Sequence, residues 1–326
     1  MKKLLMPIAM IMLCAMLTGC FASETPRSTP QATRSAAAQP PAFKTERLKE
    51  SNPTLKVYDV KQKRIIEMPL EEYLEGVLAG EMPNDWPAEA LKAQAILART
   101  FVCKFIDEKK SKYDGADIST DIKEAQAYDA DGVNDAIRRA VSATHGEIMV
   151  YEGELPYAWF YAHGGGKTAL AREGLEFSGT EPGYTQVVDS RDSDEAPSDV
   201  KHWTCEFTKA ELIAAAKEAG ITLKDAGSVK VGEKGDSGRA ITLDIDGTEV
   251  SAPALRIALG STKMKSTLIE KCEYSDGKLK LSGMGYGHGV GMSQWGAYAL
   301  ANEGMTAEEI VKISISYINY SRKREI

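Results

Sequence analysis

A glycine occupies every second position from Gly283 to Gly291 in the stretch GMGYGHGVGMSQWGA. Glycine loses more conformational freedom on folding than any other residue, so such a repeat has a structural or functional cause. Because alternate residues of an extended strand share a face, the spacing predicts a strand with one bare face. The larger side chains from Met284 to Met292 lie on the other face. Another backbone or a flat ligand can approach the bare face closely.

The first twenty residues predict an exported protein. Lys2 and Lys3 precede an apolar run that is too short for a membrane-spanning helix and ends in LTGC. This pattern is typical of a lipoprotein signal peptide, residues 1–20, whose removal leaves a lipidated Cys20 at the N-terminus. An uncleaved anchor is the alternative. The sequence thus predicts an extracytoplasmic protein anchored to the cell membrane as a lipoprotein.

Residues 21–53 are rich in Pro, Ser, Thr and Ala, a composition that cannot bury a core and therefore predicts a tether. The folded region is expected from residue 54 to residue 326. The chain carries a net charge of −7, and the signal peptide contributes two lysines and no acid. An acidic mature protein does not favour nucleic acid as a partner.

The hydrophobic periodicity predicts an α+β fold, with helices in the N-terminal half and mostly antiparallel strands in the C-terminal half. Two short strands, TLKVYDV and RIIEMPL, precede the first helix. Asp85 is a candidate N-cap for the second helix. A hairpin turning at 152–154 and several strands over 228–282 follow. The helices after the first are predicted at about 87–108, 133–144 and 208–219.

Glu81 continues the apolar stripe of the first predicted helix, which runs from Tyr73 to Leu78 at three-to-four-residue spacing. Pro83 ends that helix, so the carboxyl group also faces the negative end of the helix dipole. Desolvation and this negative end both disfavour the carboxylate, as a general acid requires. The alternative is a partly exposed carboxyl group, or one paired with a cation.

Two cations follow on the second predicted helix. Lys92 and Arg99 are seven residues apart and therefore share a face. One possibility is that their apolar stems lie against the protein while the charged ends reach solvent. The alternative is that the two side chains form an anion-binding face beside Glu81.

The stretch FYAHGGGKT, residues 160–168, does not form a phosphate-binding loop motif, because Tyr161 stands where the first glycine is needed. Its glycines instead predict a tight turn that presents His163 and backbone N–H groups. The three cysteines after Cys20 and the four histidines show no metal-binding spacing. The sequence therefore predicts no metal and no cofactor.

Four stretches occur in the order seen in the stage II sporulation protein D family, which the chain resembles over about residues 54–317. They are EEYLEGVLAGEMPNDWPAEALKAQAILARTF, AVSATHGEIMVYEGELPYAWFYAHGGGKT, GDSGRAITLDIDG and GYGHGVGMSQWGA. The resemblance implies a lytic transglycosylase that cleaves MurNAc–GlcNAc bonds of peptide-stripped peptidoglycan strands and leaves 1,6-anhydro ends. It also implies a cell-wall amidase as a partner.

The resemblance assigns roles to individual residues. Glu81 matches the family's catalytic glutamate in the EMP motif, and Lys92 and Arg99 match basic residues implicated in substrate binding. The lactyl carboxylate exposed on stripped glycan is a natural partner for such cations. The remaining candidate substrate contacts are Tyr161, His163, His288, Ser293, Gln294 and Trp295.

Two departures from the family limit what is carried over. The segments DISTDIKEAQAY and AHGGGKT contain no cysteine, so the zinc site of some members is not expected here. The lipobox differs from the membrane span of typical sporulation members, so vegetative or germination wall remodelling is an alternative to sporulation. A non-catalytic amidase enhancer or glycan-binding module is the alternative function.

Overall fold

The computed structural model describes residues 41, 43–316 and 318–322. The signal peptide, Cys20 and the first part of the predicted tether lie outside these residues. In the part of the chain that is described, no helix is long and apolar enough to cross a membrane.

The elements are numbered in chain order, after a 3₁₀ turn at Glu46–Lys49. The helices of the described residues are α1 (Leu70–Glu81), α2 (Ala88–Glu108), α3 (Asp135–Ala143), α4 (Ala171–Gly174), α5 (Ser198–Lys201), α6 (Lys209–Glu218), α7 (Ala252–Ala258), α8 (Gln294–Asn302) and α9 (Ala307–Ser314). The strands are β1 (Thr54–Asp59), β2 (Arg64–Pro69), β3 (Ile118–Ser119), β4 (Glu147–Val150), β5 (Phe160–Tyr161), β6 (His202–Thr208), β7 (Val229–Val231), β8 (Thr242–Ile245), β9 (Thr248–Ser251), β10 (Ile269–Ser275), β11 (Lys278–Met284), β12 (Met292–Ser293) and β13 (Asn319–Arg322).

The strands form small sheets with the orders β2-β1-β3, β10-β11-β6, β12-β5, β13-β4 and β7-β8-β9. Most pairs are antiparallel, but β1 with β3 and β12 with β5 are parallel. The predicted α+β class is confirmed. The C-terminal half also contains helices, α4 to α9, so helices and strands are less segregated along the chain than expected.

Helix α2 is shared by two hydrophobic cores. One face of it, including Leu91 and Val102, packs with α1, and the opposite face, including Ile96 and Leu97, packs with β5 and α8. A helix that is apolar on nearly every side is buried by neighbours all round. A third core, in the C-terminal region, is formed by the sheet β10-β11-β6 together with α6, α7 and the sheet β7-β8-β9.

The packed structure begins before residue 54, where the sequence predicts its start. Phe43 and Leu48 are 8% and 0% exposed and belong to the first core. The N-cap of α2 is Pro87, without a side-chain hydrogen bond, and the predicted cap Asp85 lies two residues earlier.

The predicted hairpin forms only at its turn. Tyr151 and Glu154 exchange two backbone hydrogen bonds. The flanking strands pair elsewhere, β4 with the C-terminal β13 and β5 with β12. Both β4 and β5 are fully buried, and a continuous apolar run carries no periodicity that identifies a partner.

The predicted strand over the alternating glycines is wrong beyond Met284, where β11 ends. Gly285, Gly287, Gly289 and Gly291 have φ values of 77°, 118°, 84° and 79°, which an extended strand excludes. Their spacing instead produces a run of left-handed turns that only glycine adopts easily.

The close approach predicted for these glycines is confirmed. The group that approaches them is another segment of the same chain, not a ligand. A Cβ atom on Gly291 would lie 2.1 Å from the Trp159 carbonyl oxygen, and one on Gly287 would lie 2.5 Å from Tyr161 Cβ. The glycine positions that the sequence left open to another backbone or a flat ligand therefore pack against the segment that contains β5.

Gly291→Ala should destabilise the protein by roughly 2–4 kcal/mol, because left-handed strain adds to a clash with the rigid Trp159 carbonyl. Gly304→Ala is the matched control, since Gly304 has φ 90° and nothing within 4 Å of the added atom. The Gly304→Ala variant should lose only about 1 kcal/mol in free energy of unfolding. Urea unfolding measures both variants, and equal losses would contradict the packing role.

Candidate active site

Glu81 is the last residue of α1 and is 4% exposed. The apolar stripe that precedes it, from Tyr73 to Leu78, is fully buried at Tyr73, Leu74, Val77 and Leu78. The predicted helix end and the predicted burial of Glu81 are both confirmed. The last backbone hydrogen bond of the helix runs from Met82 N–H to the Leu78 carbonyl, because Pro83 has no N–H to continue the series.

The two carboxyl oxygens of Glu81 have different surroundings. Oε1 accepts a hydrogen bond from Ala127 N–H at 2.7 Å, whereas Oε2 is buried without a partner among the described residues. Burial raises the pKa of Glu81 to about 7, and the Ala127 N–H partly opposes this shift. The carboxyl group is therefore protonated in a large fraction of molecules near neutral pH.

Gln294 and Trp295 lie close to Glu81. Gln294 Nε2 donates to the backbone carbonyl of Glu81 at 3.1 Å, which fixes the end of α1 to the start of α8. The ring of Trp295 lies 4.7 Å from Trp86 between centroids, and Tyr298 completes the aromatic group. We call Trp86, Trp295 and Tyr298 the aromatic cluster.

Gln126 precedes Ala127 and is another buried group beside the carboxyl. Its side-chain amide is 2% exposed and has no hydrogen-bond partner among the described residues. Buried amides are normally hydrogen-bonded. The Gln126 amide and the Glu81 Oε2 are therefore two polar groups that lack hydrogen-bond partners.

The predicted substrate-binding role of Arg99 is corrected by the structure. Arg99 is 0% exposed, and its Nε and Nη2 donate to the two carboxylate oxygens of Glu71 at 2.8 and 2.7 Å. Nη1 donates to the Glu147 carbonyl at 3.0 Å. A guanidinium that is buried and bonded in this way cannot receive a ligand carboxylate.

Lys92 is the accessible member of the predicted pair. Its side chain is 30% exposed and forms an ion pair with Glu89 at 2.6 Å, one turn earlier on α2. A substrate carboxylate would compete with Glu89 for this ammonium group. Substrate binding by Lys92 stays a prediction.

Asp192 organises the glycine turn that follows His163, and sequence reasoning missed it. Its carboxylate accepts hydrogen bonds from Gly164 N–H at 2.9 Å, from Ser190 Oγ and from Ser293 Oγ at 2.5 Å each. The only sequence signal is an aspartate in the polar stretch DSRDSD, which does not reveal partners about 30 and 100 residues away.

Three predicted contacts are structural instead. Ser293 is 1% exposed and caps α8 by accepting from Gly296 N–H, and Tyr161 is fully buried. His288 is 5% exposed, and burial together with two nearby arginines lowers its pKa to about 3. These positions correct the prediction that Ser293, Tyr161 and His288 contact the substrate at Glu81.

His163 lines a polar cavity of about 620 Å³ together with Asp192 and Glu195. Its Nδ1 accepts from Gly165 N–H at 3.0 Å, and burial lowers its pKa. A neutral imidazole with this bond carries its proton on Nε2. Substrate contact by His163 or by the half-buried Trp295 stays a prediction.

No cluster of three His, Cys, Asp or Glu side chains is arranged to hold a metal ion in the described ranges. Cys103, Cys205 and Cys272 form no disulfide with one another among the described residues.

Fold and site together define an α+β protein with one buried, weakly acidic glutamic acid as its candidate catalyst. The stage II sporulation protein family model matches residues 58–151, and a model for a domain of unknown function matches residues 175–291. Stage II sporulation protein D of Bacillus subtilis is 30% identical over 296 residues, which cover 86% of this chain and 82% of that protein. The chain therefore belongs to the stage II sporulation protein D family, as its motifs predicted.

Two further relatives widen the comparison. An uncharacterized protein of Brachyspira hyodysenteriae is 30% identical over 259 residues, 78% of this chain and 68% of the relative. A Bacillus subtilis protein named amidase enhancer is 28% identical over 285 residues, 73% of this chain and 39% of that protein.

Arg99→Ala should cost about 3–5 kcal/mol of stability, because it leaves Glu71 buried without its counter-charge. Arg191→Ala is the control, since Arg191 and Glu303 form a pair with side chains 46% and 53% exposed. It should cost less than about 1 kcal/mol. Thermal or urea unfolding distinguishes the two, and an Arg99→Ala protein of unchanged stability that no longer binds glycan would restore the substrate-binding role.

Proposed function

We propose that the protein is a peptidoglycan lytic transglycosylase in which Glu81 is the acid and base. The observation that carries the proposal is the burial of Glu81, which raises its pKa to about 7 and leaves Oε2 without a partner. A general acid works best when its pKa lies near the working pH. Membership of the stage II sporulation protein D family supports a role in the cell wall.

The reaction needs a single carboxyl group. Protonated Glu81 donates its proton to the glycosidic oxygen as the bond from C1 of N-acetylmuramic acid breaks. The resulting carboxylate then takes the proton of the 6-hydroxyl as O6 bonds to C1, which closes the 1,6-anhydro ring and regenerates the acid. Ordinary glycosidases need a second carboxyl group for water or for a covalent intermediate. Among the described residues, the carboxyl group of Glu81 accepts a hydrogen bond from the Ala127 N–H, and Oε2 has no partner.

Access to Glu81 requires movement. Glu81 lines neither the 620 Å³ cavity nor the second cavity, of about 660 Å³, that the described residues form. Met82 and Trp86 are buried beside it, and the aromatic cluster connects that loop to α8. Aromatic faces stack on sugar rings, so displacement of Trp86 from Trp295 would open the site and supply sugar contacts.

Glu81→Gln should abolish the formation of 1,6-anhydro ends on peptide-stripped glycan strands, because an amide has nearly the same size but cannot deliver the proton. Glu72→Gln is the matched control, an exposed glutamate on the same helix, and should retain activity. Mass spectrometry of the products measures both.

The pH profile of kcat/KM provides an independent check on the same residue. The free enzyme must hold its proton on Glu81, so activity should fall as pH rises through about 7. Full activity of Glu81→Gln, or a kcat/KM that is unchanged up to pH 9, would show that another residue is the acid.

A non-catalytic amidase enhancer is the second candidate function. The similarity to the Bacillus subtilis amidase enhancer favours it, as does the closed position of Glu81. An absence of anhydro ends from the wild-type protein, together with stimulation of a purified cell-wall amidase, would support this function and exclude the transglycosylase.

We also infer that Cys20 carries a lipid that anchors the protein outside the cytoplasmic membrane, where it remodels the wall during sporulation, germination or growth. Cys20→Ala should release the protein from the membrane fraction or leave an unprocessed precursor. Cys272→Ala, on β10, is the control and should fractionate like the wild type. A Cys20→Ala protein of wild-type size that stays in the membrane would indicate an uncleaved anchor.

A further inference from the structure

The second cavity lies away from Glu81 and has a different chemistry. It has a volume of about 660 Å³ and lies between the C-terminal half of α2, the segment 157–159 and helix α7. Aromatic side chains form one wall, among them Tyr157, Trp159 and Phe177, whose rings contact one another at 4.7–5.7 Å. A cavity of this size accommodates a ligand of several hundred daltons.

Arg256 lines this cavity and is 5% exposed. Its Nε donates to the Lys265 carbonyl at 3.0 Å, and the ionisable groups that act on its guanidinium within the described residues are Tyr286 and Arg239, not a carboxylate. Burial lowers the pKa of Arg256 to about 10, so the group is still positively charged at neutral pH. A buried charge without a counter-ion is costly, and an anion in the cavity would offset that cost.

His288 lies beside Arg256. The Lys265 carbonyl accepts from both Arg256 Nε and Gly287 N–H, which brings the residue after Gly287 next to the guanidinium. His288 Nδ1 accepts from Val290 N–H at 3.1 Å, so the neutral imidazole carries its proton on Nε2. The Phe160 carbonyl raises the pKa of the ring, and Nε2 is buried, so a ligand in the cavity does not reach this nitrogen and the anion site is the Arg256 guanidinium.

Charge is distributed unevenly along the cavity. Its acidic residues Glu108, Glu176 and Glu218 are exposed, and the half-buried Glu124 accepts a hydrogen bond from Ser111, whereas Arg256 and His288 are buried. The buried groups at this place are hydrogen-bond donors, and Arg239 adds a second positive charge close enough to lower the pKa of Arg256. Donors and positive charge in the interior, next to an apolar wall, match a ligand with an anionic head and an apolar body.

We propose that this cavity binds a long-chain organic carboxylate, whose carboxylate group accepts hydrogen bonds from the Arg256 guanidinium and whose apolar chain lies against the aromatic wall. A carboxylate neutralises the guanidinium, while the chain displaces water from the aromatic side chains. The site does not involve Glu81, so the inference is independent of the proposed function.

Isothermal titration of the purified protein tests the proposal, with dodecanoate below its critical micelle concentration and dodecanol below its solubility limit. The two probes share a chain length and differ in the head group. Dodecanoate should bind at least about tenfold more tightly, because only its carboxylate forms charge-assisted hydrogen bonds with the buried donors. Equal affinities, or no binding of either probe, would overturn the proposal.

Substitutions of cavity residues test whether the two probes bind in this cavity. Arg256→Met should weaken dodecanoate about tenfold or more and leave dodecanol unchanged, whereas Lys209→Met, which removes an exposed cation paired with Asp225, should change neither. Phe177→Ala should weaken both probes, and it provides a test that does not depend on the folding of the arginine variant. Dodecanoate affinity that survives both Arg256→Met and Phe177→Ala would place the binding elsewhere and refute the site.

Discussion

The buried ion pair between Arg99 and Glu71 joins four parts of the N-terminal core. Besides the two bonds to Glu71, Arg99 donates to carbonyl groups at the end of α3 and on β4, and Gly146 N–H donates to Glu71 as well. Moving two charges out of water is costly, so the pair is tolerated only because nearly all its donors and acceptors are used. Glu71 lies in the first turn of α1 and Glu81 in the last, about 15 Å further along the axis. The pair thereby fixes how α1 lies against α2, and with it the position at which Glu81 ends the helix.

The acidity of Glu81 depends on the same closure that blocks access to it. Its raised pKa comes from desolvation, and an opening that admitted water would lower the pKa toward the ordinary value of a glutamic acid. A glycan that displaces Trp86 and then covers the carboxyl group would exclude water again. Substrate binding would therefore keep the pKa of Glu81 high and its carboxyl group protonated. A site that is closed in the free protein is in this way compatible with the proposed acid catalysis.

Local features of the fold could be predicted from the sequence, and long-range pairings could not. The end of α1, the extent of α2 and the burial of Glu81 follow from apolar spacing and from one proline. The error at Arg99 arose because two residues seven apart share a face whether that face is exposed or buried, and the buried partner Glu71 lies on another helix. The partner of β4 is β13, the last strand of the described chain, and no local sequence pattern predicts this pairing.

The segment of alternating glycines connects the two sites, and one of these glycines, Gly287, lines the second cavity. Left-handed turns at Gly285 and Gly287 bring the segment against the His163 turn and β5. His288, two residues before Val290, is thereby placed at the second cavity, and six residues further Gln294 holds the carbonyl of Glu81. Since a Cβ atom at any of these glycines would lie within 3 Å of a backbone or side-chain atom, the segment has little freedom to shift. A disturbance there would move the support of Glu81 and the residues that line the second cavity together, so a substitution in this segment affects both sites.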